Sequence, residues 1–554
     1  MIDARPATKR ARITLTGEVG AKGQKENFDM TRTALVRALL AGSAFMMANA
    51  AYAQDAEPQP DPSDATADAA IASAGELDDA QAKIELLQAQ VEALQESLTQ
   101  IQASMVKTTP SWKGAPLFED KDAGWSFKPR GRLQYDVGYV SNPNDNIITR
   151  NLGFNTRARR IRLGVEGTIP GGFGYKAEMD FAGGAVGYGD VILTYSPKNA
   201  PVVVSIGNHE TLNGLEQMTS SRFSSFVERA AFDDAFINTR RIGISAGYAN
   251  KAGDLRVNAG LFAAHSIDGT LDNDGWIGAF RATYSPLMGA NQLHFGLNYQ
   301  HREFQSNNGA TAATSSGQPS TNQLARYRAR PFTQLTDQRF VDTQNFAAKS
   351  DDIIGLEAAG IFKSLHIAAE GQYLKANAYD AFDRISSGTA LDLFPAATQY
   401  VSDGNPSFWG GYFEAGYFLT GETRGYKGGL WDRTKVLKPF SKGGSGAFQV
   451  IGRVDYLDLD SDKLKGGCTN NFVTGLTCTT ASSQLGKGGQ QLGFLAGLTW
   501  IPEDYMRVLI NYSHASVTGG PLASTVEPTT PSSEPIDKRK DGNDTVQARF
   551  QIDF

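Results

Sequence analysis

The sequence predicts an all-β fold: a 16-stranded antiparallel transmembrane β-barrel over residues 125–554, preceded by an α-helical coiled-coil segment. Three features predict it. Segments of about ten residues alternate apolar and polar side chains, their connections alternate between short and long, and a heptad repeat lies ahead of them. Beyond the leader, no apolar run reaches the roughly 18 residues that a helix needs to cross a bilayer, so the composition argues against a helical membrane protein.

The alternating segments have the two-residue period of β-strands, with one apolar and one polar face. In the C-terminal segment, Gln547, Arg549, Gln551 and Asp553 alternate with Val546, Ala548, Phe550, Ile552 and Phe554. The same pattern recurs within residues 130–139, 160–166, 175–181, 293–299 and 448–456. A tilted strand of about ten residues is long enough to span a bilayer.

The connections between these segments are of two kinds. Short ones contain turn residues and fall at 170–172, 196–201, 250–253, 285–289, 363–364 and 502–504. Long polar ones cover roughly 140–156, 183–188, 208–239, 265–274, 303–350, 375–406, 459–488 and 515–543, while 420–446 is long but falls where a short turn is due. Eight long and seven short connections give sixteen strands with both barrel ends in the periplasm; a soluble sandwich would not sort its loops in this way.

One long connection lies between alternating segments that begin at Ser205 and end at Tyr248. In a barrel, such a connection can fold into the lumen and narrow it, because irregular backbone at membrane depth is tolerated only inside a cavity. We therefore expect this loop to form a constriction.

The N-terminal residues predict export. Residues 30–37 supply a basic start, residues 38–47 an apolar middle and residues 51–53 a cleavage site, so we interpret 30–53 as a signal peptide. Residues 1–29 precede the second methionine, and we interpret them as a non-native upstream extension with Met30 as the true start. An acidic, Ala- and Pro-rich stretch at 54–76 predicts a disordered linker.

A heptad repeat over residues 77–106 predicts a coiled coil, which we place in the periplasm because it precedes the barrel. Its apolar seam consists of Leu77, Ala80, Ile84, Leu87, Val91, Leu94, Leu98, Ile101 and Met105. The first half favours a dimer and the second half a higher-order assembly, so the seam leaves the number of helices open. Docking of the helix on its own chain is the alternative. A linker, 107–124, follows.

Cys468 and Cys478 lie in one long connection of an exported chain, where an oxidising compartment favours a disulfide. With no histidine nearby they predict no metal site, and no cofactor is expected. The net charge of −6 and pI near 5.7 argue against a nucleic-acid partner, and no aromatic-basic nucleic-acid motif is found. The six histidines have no nucleophile motif around them, which argues against an enzyme.

Several stretches resemble, in their order and spacing, the phosphate-selective porin O/P family of trimeric outer-membrane channels. They are residues 125–135 (WSFKPRGRLQY), 159–167 (RRIRLGVEG), 214–223 (GLEQMTSSRF), 227–229 (VER), 419–424 (LTGETR), 446–459 (GAFQVIGRVDYLDL) and the C-terminal ARFQIDF. The resemblance implies a homotrimer in the bacterial outer membrane, in contact with lipid and lipopolysaccharide.

The resemblance also implies which residues meet the solute. A constriction would hold Arg132, Arg160 and Arg229, with Asp190 close by and the hydroxyls of Ser220 and Ser221 on the infolded loop. Arg326, Arg328 and Arg330 would form a ladder that leads anions towards it. Guanidinium groups match tetrahedral oxyanions with paired donors, rings of arginine select anions, and an acidic neighbour keeps the solute from binding too tightly to leave.

The chain departs from the family pattern at Gln217, where phosphate-selective members have a lysine, and its loops carry many carboxylates. Anion preference is therefore better supported than strict phosphate specificity. The leading hypothesis is a passive, anion-preferring channel for phosphate, polyphosphate or similar small anions. The alternatives are a general-diffusion porin for small organic solutes, and an envelope-tethering barrel whose coiled coil reaches peptidoglycan. Loop arginines that instead bind lipopolysaccharide phosphates would also weaken the ladder interpretation.

Overall fold

A computed structural model describes residues 68–108, 111–112, 114–143, 150–264, 267, 275–304, 324–378, 400–466, 468–471, 475–478, 488–526 and 534–554. The predicted upstream extension 1–29, the signal peptide 30–53 and most of the linker 54–76 lie outside this part of the chain.

The N-terminal helix, α1, covers Asp68–Thr108. It includes the predicted coiled-coil segment and begins earlier, within the stretch predicted to be a linker. Five seam residues are more than half exposed on the single chain: Ile84, Leu87, Val91, Leu94 and Leu98. In the described residues, no helix has both the length and the apolar character required to traverse a membrane.

Sixteen antiparallel strands of the described chain form one closed barrel. They are β1 (Trp125–Val140), β2 (Gly153–Ile169), β3 (Phe173–Asp180), β4 (Gly187–Tyr195), β5 (Val202–His209), β6 (Arg241–Ala249), β7 (Leu255–Ala263), β8 (Trp276–Tyr284), β9 (Asn291–Glu303), β10 (Phe346–Phe362), β11 (Leu365–Ala378), β12 (Ser407–Phe418), β13 (Ala447–Asp458), β14 (Gln490–Glu503), β15 (Met506–Thr518) and β16 (Lys540–Asp553). Each pairs with the next, and β16 pairs with β1 from Thr545↔Val140 to Asp553↔Arg132. The predicted sixteen-stranded antiparallel barrel is confirmed.

Shorter elements lie outside the barrel ladder. The strands are Ser111–Trp112, Pro116–Asp120, Leu287–Met288, Leu324–Ala325, Arg328–Ala329, Val341–Asp342, Tyr400–Ser402, Gly425–Lys427, Leu430–Asp432, Leu464–Gly466, Cys468–Asn471 and Gly475–Cys478. Two short helices are α2 (Leu215–Met218) and α3 (Ala231–Phe236), and 3-10 turns occur at Phe440–Lys442, Ala523–Thr525 and Ile536–Lys538.

The outer face of the barrel wall is apolar, and β16 shows its alternation with a polar inner face. In β16, Val546, Phe550 and Ile552 are about half exposed, at 52%, 53% and 45%. The residues between them are at most 3% exposed: Gln547, Arg549, Gln551 and Asp553. This is the reverse of a soluble protein, and it is the arrangement of a barrel whose outer surface faces lipid.

Apolar side chains fill one half of the lumen. They come from the inner faces of β10–β15 and include Ile353, Leu374, Phe408, Ile451 and Leu495. The connection 419–446 also folds inside: the Tyr426 hydroxyl is 2.6 Å from His294 Nδ1, and Trp431 is 4% exposed. Within the described residues, two cavities lie on the other side of the lumen, along β1–β7.

The two cysteines lie in the hairpin formed by Cys468–Asn471 and Gly475–Cys478, where the backbone places Cys468 directly opposite Cys478. Cross-strand partners of this kind have Cα separations that suit a disulfide. Their side chains lie outside the described part of the chain, so the disulfide stays a prediction.

Candidate pore constriction

Residues 210–240, which we call the inner loop, connect β5 to β6 and fold into the lumen as the sequence predicts. The chain carries the two short helices α2 and α3 there, and Phe226, Phe232 and Phe236 are each at most 2% exposed. These side chains belong to the apolar cluster formed with the inner faces of β10–β15. One side of the inner loop is thus packed against the filled half of the barrel, and the other side borders the open half.

Buried ion pairs hold the inner loop in this position. Arg453 of β13 donates to Glu216 of the loop at 2.6 Å and to Glu414 of β12 at 2.6 Å. The Glu216 carboxylate also accepts a bond from the Ala230 amide at 3.0 Å, which ties α2 to the start of α3. Because a buried charge that loses its partner is strongly destabilising, these contacts fix the loop across the pore.

Two cavities of about 340 and 330 Å³ lie on either side of the inner loop. The upper cavity lies towards the long loops and the lower cavity towards the short turns. Five described residues line both, and we call them the waist: Arg160, Arg162, Gln217, Arg229 and Arg240. Among the described residues, no carboxylate lines both cavities. A solute that crosses from one cavity to the other passes four arginines and one glutamine.

A β-bulge in β2 brings neighbouring arginines to the same side of the wall. The β1–β2 register moves from Gln134↔Arg160 to Tyr135↔Ala158, so Arg159 is an additional residue. A bulge of this kind re-aims side chains. Arg159 and Arg160 therefore both line the upper cavity, although strict alternation would turn one of them towards lipid.

Arg160 and Arg229 are the two waist arginines without a carboxylate partner in the described part of the chain. Arg160 donates to the Gln134 side-chain oxygen at 2.9 Å. Arg229 donates to the backbone carbonyls of Glu216, Gln217 and Thr219 at 3.1, 3.2 and 2.9 Å. Arg229 thus holds the fold of the inner loop as well as facing the pore, and both residues keep an uncompensated positive charge there.

The other two waist arginines are compensated by acids. Arg162 is 2.8 Å from both Glu178 and Asp180. Arg240 is 2.6 Å from Asp190 and 2.7 Å from Glu210. Asp190, predicted to lie beside the constriction, also pairs with Lys176. These carboxylates moderate the positive charge of the waist.

The remaining predicted constriction residues line the lower cavity. Arg132 donates to the Ser221 hydroxyl at 2.7 Å and lies 3.6 Å from Glu178, while its Nε has no partner in the structure. The Ser220 hydroxyl is 3.2 Å from the Arg222 Nε. The structure therefore brings together all six predicted residues of the constriction around the two cavities.

The three arginines predicted as a ladder differ in their surroundings. They alternate with Ala325, Tyr327 and Ala329, which are at most 1% exposed. Arg326 pairs with Asp342 at 2.5 Å and Arg330 with Asp234 at 3.1 Å, whereas Arg328 has no ion pair within the described residues. Of the three, the cavities reach only Arg330.

Three described carboxyl groups of the inner loop line the upper cavity, and two of them, Glu228 and Asp233, have opposite properties. Burial alone would raise the pKa of Glu228, but the charges of Arg159 and Arg549 lower it below its usual value. Burial, and then the charges of Glu216 and Glu370, raises the pKa of Asp233 well above its usual value. Glu228 therefore carries its charge at lower pH than Asp233 does.

Sequence reasoning did not select Arg162 and Arg240 as site residues. Arg162 could have been found from its position two residues after Arg160 on the same strand face. No local sequence pattern marks Arg240 as a site residue, because it reaches the waist only where the inner loop returns to the barrel wall. Gln217, recognised as a departure from the family, lies at the waist and donates to Glu210 at 2.9 Å.

A closed barrel with an apolar exterior, a polar interior and an infolded loop defines an outer-membrane porin. The family model "Phosphate-selective porin O and P" matches residues 127–530, and the chain therefore belongs to this family. It is 27% identical to Porin O of Pseudomonas aeruginosa over 73% of this chain and 86% of that protein. It is 35% identical to an uncharacterized protein of Caulobacter vibrioides over 73% of this chain and 70% of the relative.

Solved structures are more distant. An anion-selective porin from Comamonas acidovorans has a TM-score of 0.41 and 14% identity, and the match covers 77% of this chain and all of that one. OmpT of Vibrio cholerae, in its trimer form, has a TM-score of 0.40 and 10% identity over 77% of this chain and 99% of that chain.

Proposed function

We propose that this porin is a passive channel that prefers anions and admits phosphate, polyphosphate or similar small anions to the periplasm. The observation that carries the proposal is the waist, where every charged side chain is an arginine and where Arg160 and Arg229 have no carboxylate partner in the described chain. Positive side chains that line a pore attract anions and raise the barrier for cations.

The charge of the lower cavity supports the same preference. Its lining within the described chain includes eight basic and three acidic side chains. The basic ones are Arg130, Arg132, Arg160, Arg162, Lys176, Arg222, Arg229 and Arg240. The acidic ones are Glu178, Asp190 and Glu210. The net formal charge of the whole chain is negative, so the lumen differs in sign from the protein as a whole.

The chemistry of the site suits oxyanions. Arg132, with one unpartnered buried nitrogen, lies next to the Ser221 hydroxyl, and Ser220 lines the same cavity. Guanidinium and hydroxyl donors together can replace part of the hydration of a phosphate-like group. Asp190, Glu178 and Glu210 keep the binding weak enough for the anion to leave.

The test is the reversal potential of the purified protein in planar bilayers under a KCl gradient, repeated with added phosphate. We expect the sign of the reversal potential to show that chloride permeates better than potassium. We also expect phosphate to reduce the chloride current. A potential of the opposite sign would refute anion preference. Anion preference without any effect of phosphate would leave an anion channel of another specificity.

We further propose that three copies assemble and that α1 forms a coiled coil between them. The exposed seam supports this, because apolar residues at heptad spacing need partner helices. Sedimentation of the detergent-solubilised protein tests the number of copies, and a monomer would overturn the proposal.

A further inference from the structure

The lower cavity has an apolar side as well as a basic side. Its basic residues on β1–β3 include Arg130, Arg132 and Lys176. On β4 and in the inner loop, the lining also includes the apolar residues Ile192, Leu212 and Met218, which lie among the carboxylates Asp190 and Glu210 and the neutral polar residues of β5–β7. The strand order separates the two sets along the barrel wall.

Ile192 is the most informative of these residues. It lies on the inner face of β4, between Asp190 and Thr194, whereas its neighbour Leu193 is on the outer face and is 47% exposed. Ile192 belongs to none of the buried apolar clusters in the described structure. Packing of the inner loop therefore does not account for an isoleucine that faces the water of the pore.

Leu212 and Met218 extend the same apolar side. Leu212 is buried with Phe262 and Ile277, and Met218 packs partly against that cluster while lining the cavity. In the upper cavity, Ile267 and Phe332 add apolar lining. A solute on its way through the waist thus meets apolar surface on both sides of the constriction.

We propose that the preferred solutes are organic anions that combine a single anionic group with an apolar group, such as phosphate monoesters of aromatic alcohols. This inference rests on the proposed anion preference and specifies its substrate class. Inorganic phosphate gains nothing from Ile192 and Met218, because burial of apolar surface is favourable only for an apolar solute. A cavity of about 330 Å³ is large enough to hold a small organic molecule.

The experiment compares phenyl phosphate with methyl phosphate, which share the anionic group and differ in apolar surface. The readout is the concentration of each that halves the chloride current of the purified full-length protein in planar bilayers. We expect phenyl phosphate to act at a concentration roughly tenfold lower, since a tenfold ratio needs the burial of only about two methylene equivalents. The variant Ile192→Ser should reduce this ratio to about threefold or less, and the matched control Ile192→Leu should keep it.

Met218→Gln provides a second test, because glutamine has a side chain of similar length to methionine but is polar. This variant decides the question if Ile192→Ser does not insert into the membrane. Reduced discrimination in that variant supports the proposal. Equal half-blocking concentrations of the two esters in the natural protein would overturn it while leaving anion preference in place. A reversal potential that indicates cation preference would instead overturn the proposed function itself.

Discussion

Replacing Arg160 with alanine tests whether an uncompensated charge at the waist sets the selectivity. Arg160 lines both cavities and has no carboxylate partner in the described chain, so its removal takes away a charge from the place where the two cavities meet. Two unit charges about 4 Å apart interact by about 1 kcal/mol in bulk water and about 4 kcal/mol at an effective dielectric constant of 20. We take the lower figure as the minimum effect.

An energy of about 1 kcal/mol corresponds to roughly a fivefold fall in the permeability of chloride relative to potassium. The assay is the reversal potential in a KCl gradient at low ionic strength. At about 1 M salt the Debye length shrinks to about 3 Å, and the difference between Arg160→Ala and the natural protein should become smaller.

Two control variants separate position from charge. Lys198→Ala removes the same charge from an exposed turn between β4 and β5 and should leave the reversal potential unchanged. Arg160→Lys keeps the charge and should retain anion preference while weakening the effect of phosphate, because an ammonium cannot offer paired planar donors. A reversal potential in Arg160→Ala equal to that of the natural protein, or a shift of the same size in Lys198→Ala, would refute the reasoning.

Three further outcomes follow from particular contacts. Val91→Asp, in the exposed seam of α1, should lower the trimer fraction in sedimentation, whereas Ala93→Asp outside the seam should not; equal trimer fractions would contradict a coiled coil. Cys468 and Cys478 should resist alkylation until a reductant is added, and modification without reductant would exclude the disulfide. Glu216→Gln weakens the buried contact with Arg453, at a cost on the order of 3 kcal/mol, so the inner loop should loosen and single-channel conductance should rise; unchanged conductance would show that the apolar contacts suffice.

The strand number and the two faces of the wall could be predicted from the sequence because both follow from local patterns. Side chains alternate with a period of two, and turn residues mark the short connections. The stretch 420–446 is longer than the short turn expected at its position, but the sequence does not predict that it folds into the lumen. It lies inside the barrel because Arg281 donates to the Gly429 carbonyl at 3.1 Å and Thr219 accepts from the Trp431 amide at 3.3 Å, contacts between residues far apart in sequence.

The candidate site could be predicted only in part for a similar reason. The family resemblance selected Arg132, Arg160 and Arg229, and the structure places all three beside the cavities. The resemblance did not indicate which arginines form ion pairs with carboxylates. Whether Arg162 or Arg326 is compensated depends on Glu178, Asp180 and Asp342, and that pairing appears only when strands and loops are brought together.

The division of the lumen explains how so many arginines can face one narrow path. On the filled side, Arg453 is enclosed by Glu216 and Glu414, and its charge serves to fix the inner loop. On the open side, carboxylates of the wall compensate the charges of Arg162 and Arg240. Arg160 and Arg229 instead donate only to uncharged oxygens. Like charges that close together would repel without such compensation, so the acids allow the arginines to be clustered. The net attraction that a passing anion experiences therefore comes from the uncompensated residues, and substitution of a compensated arginine would also release a carboxylate into the pore.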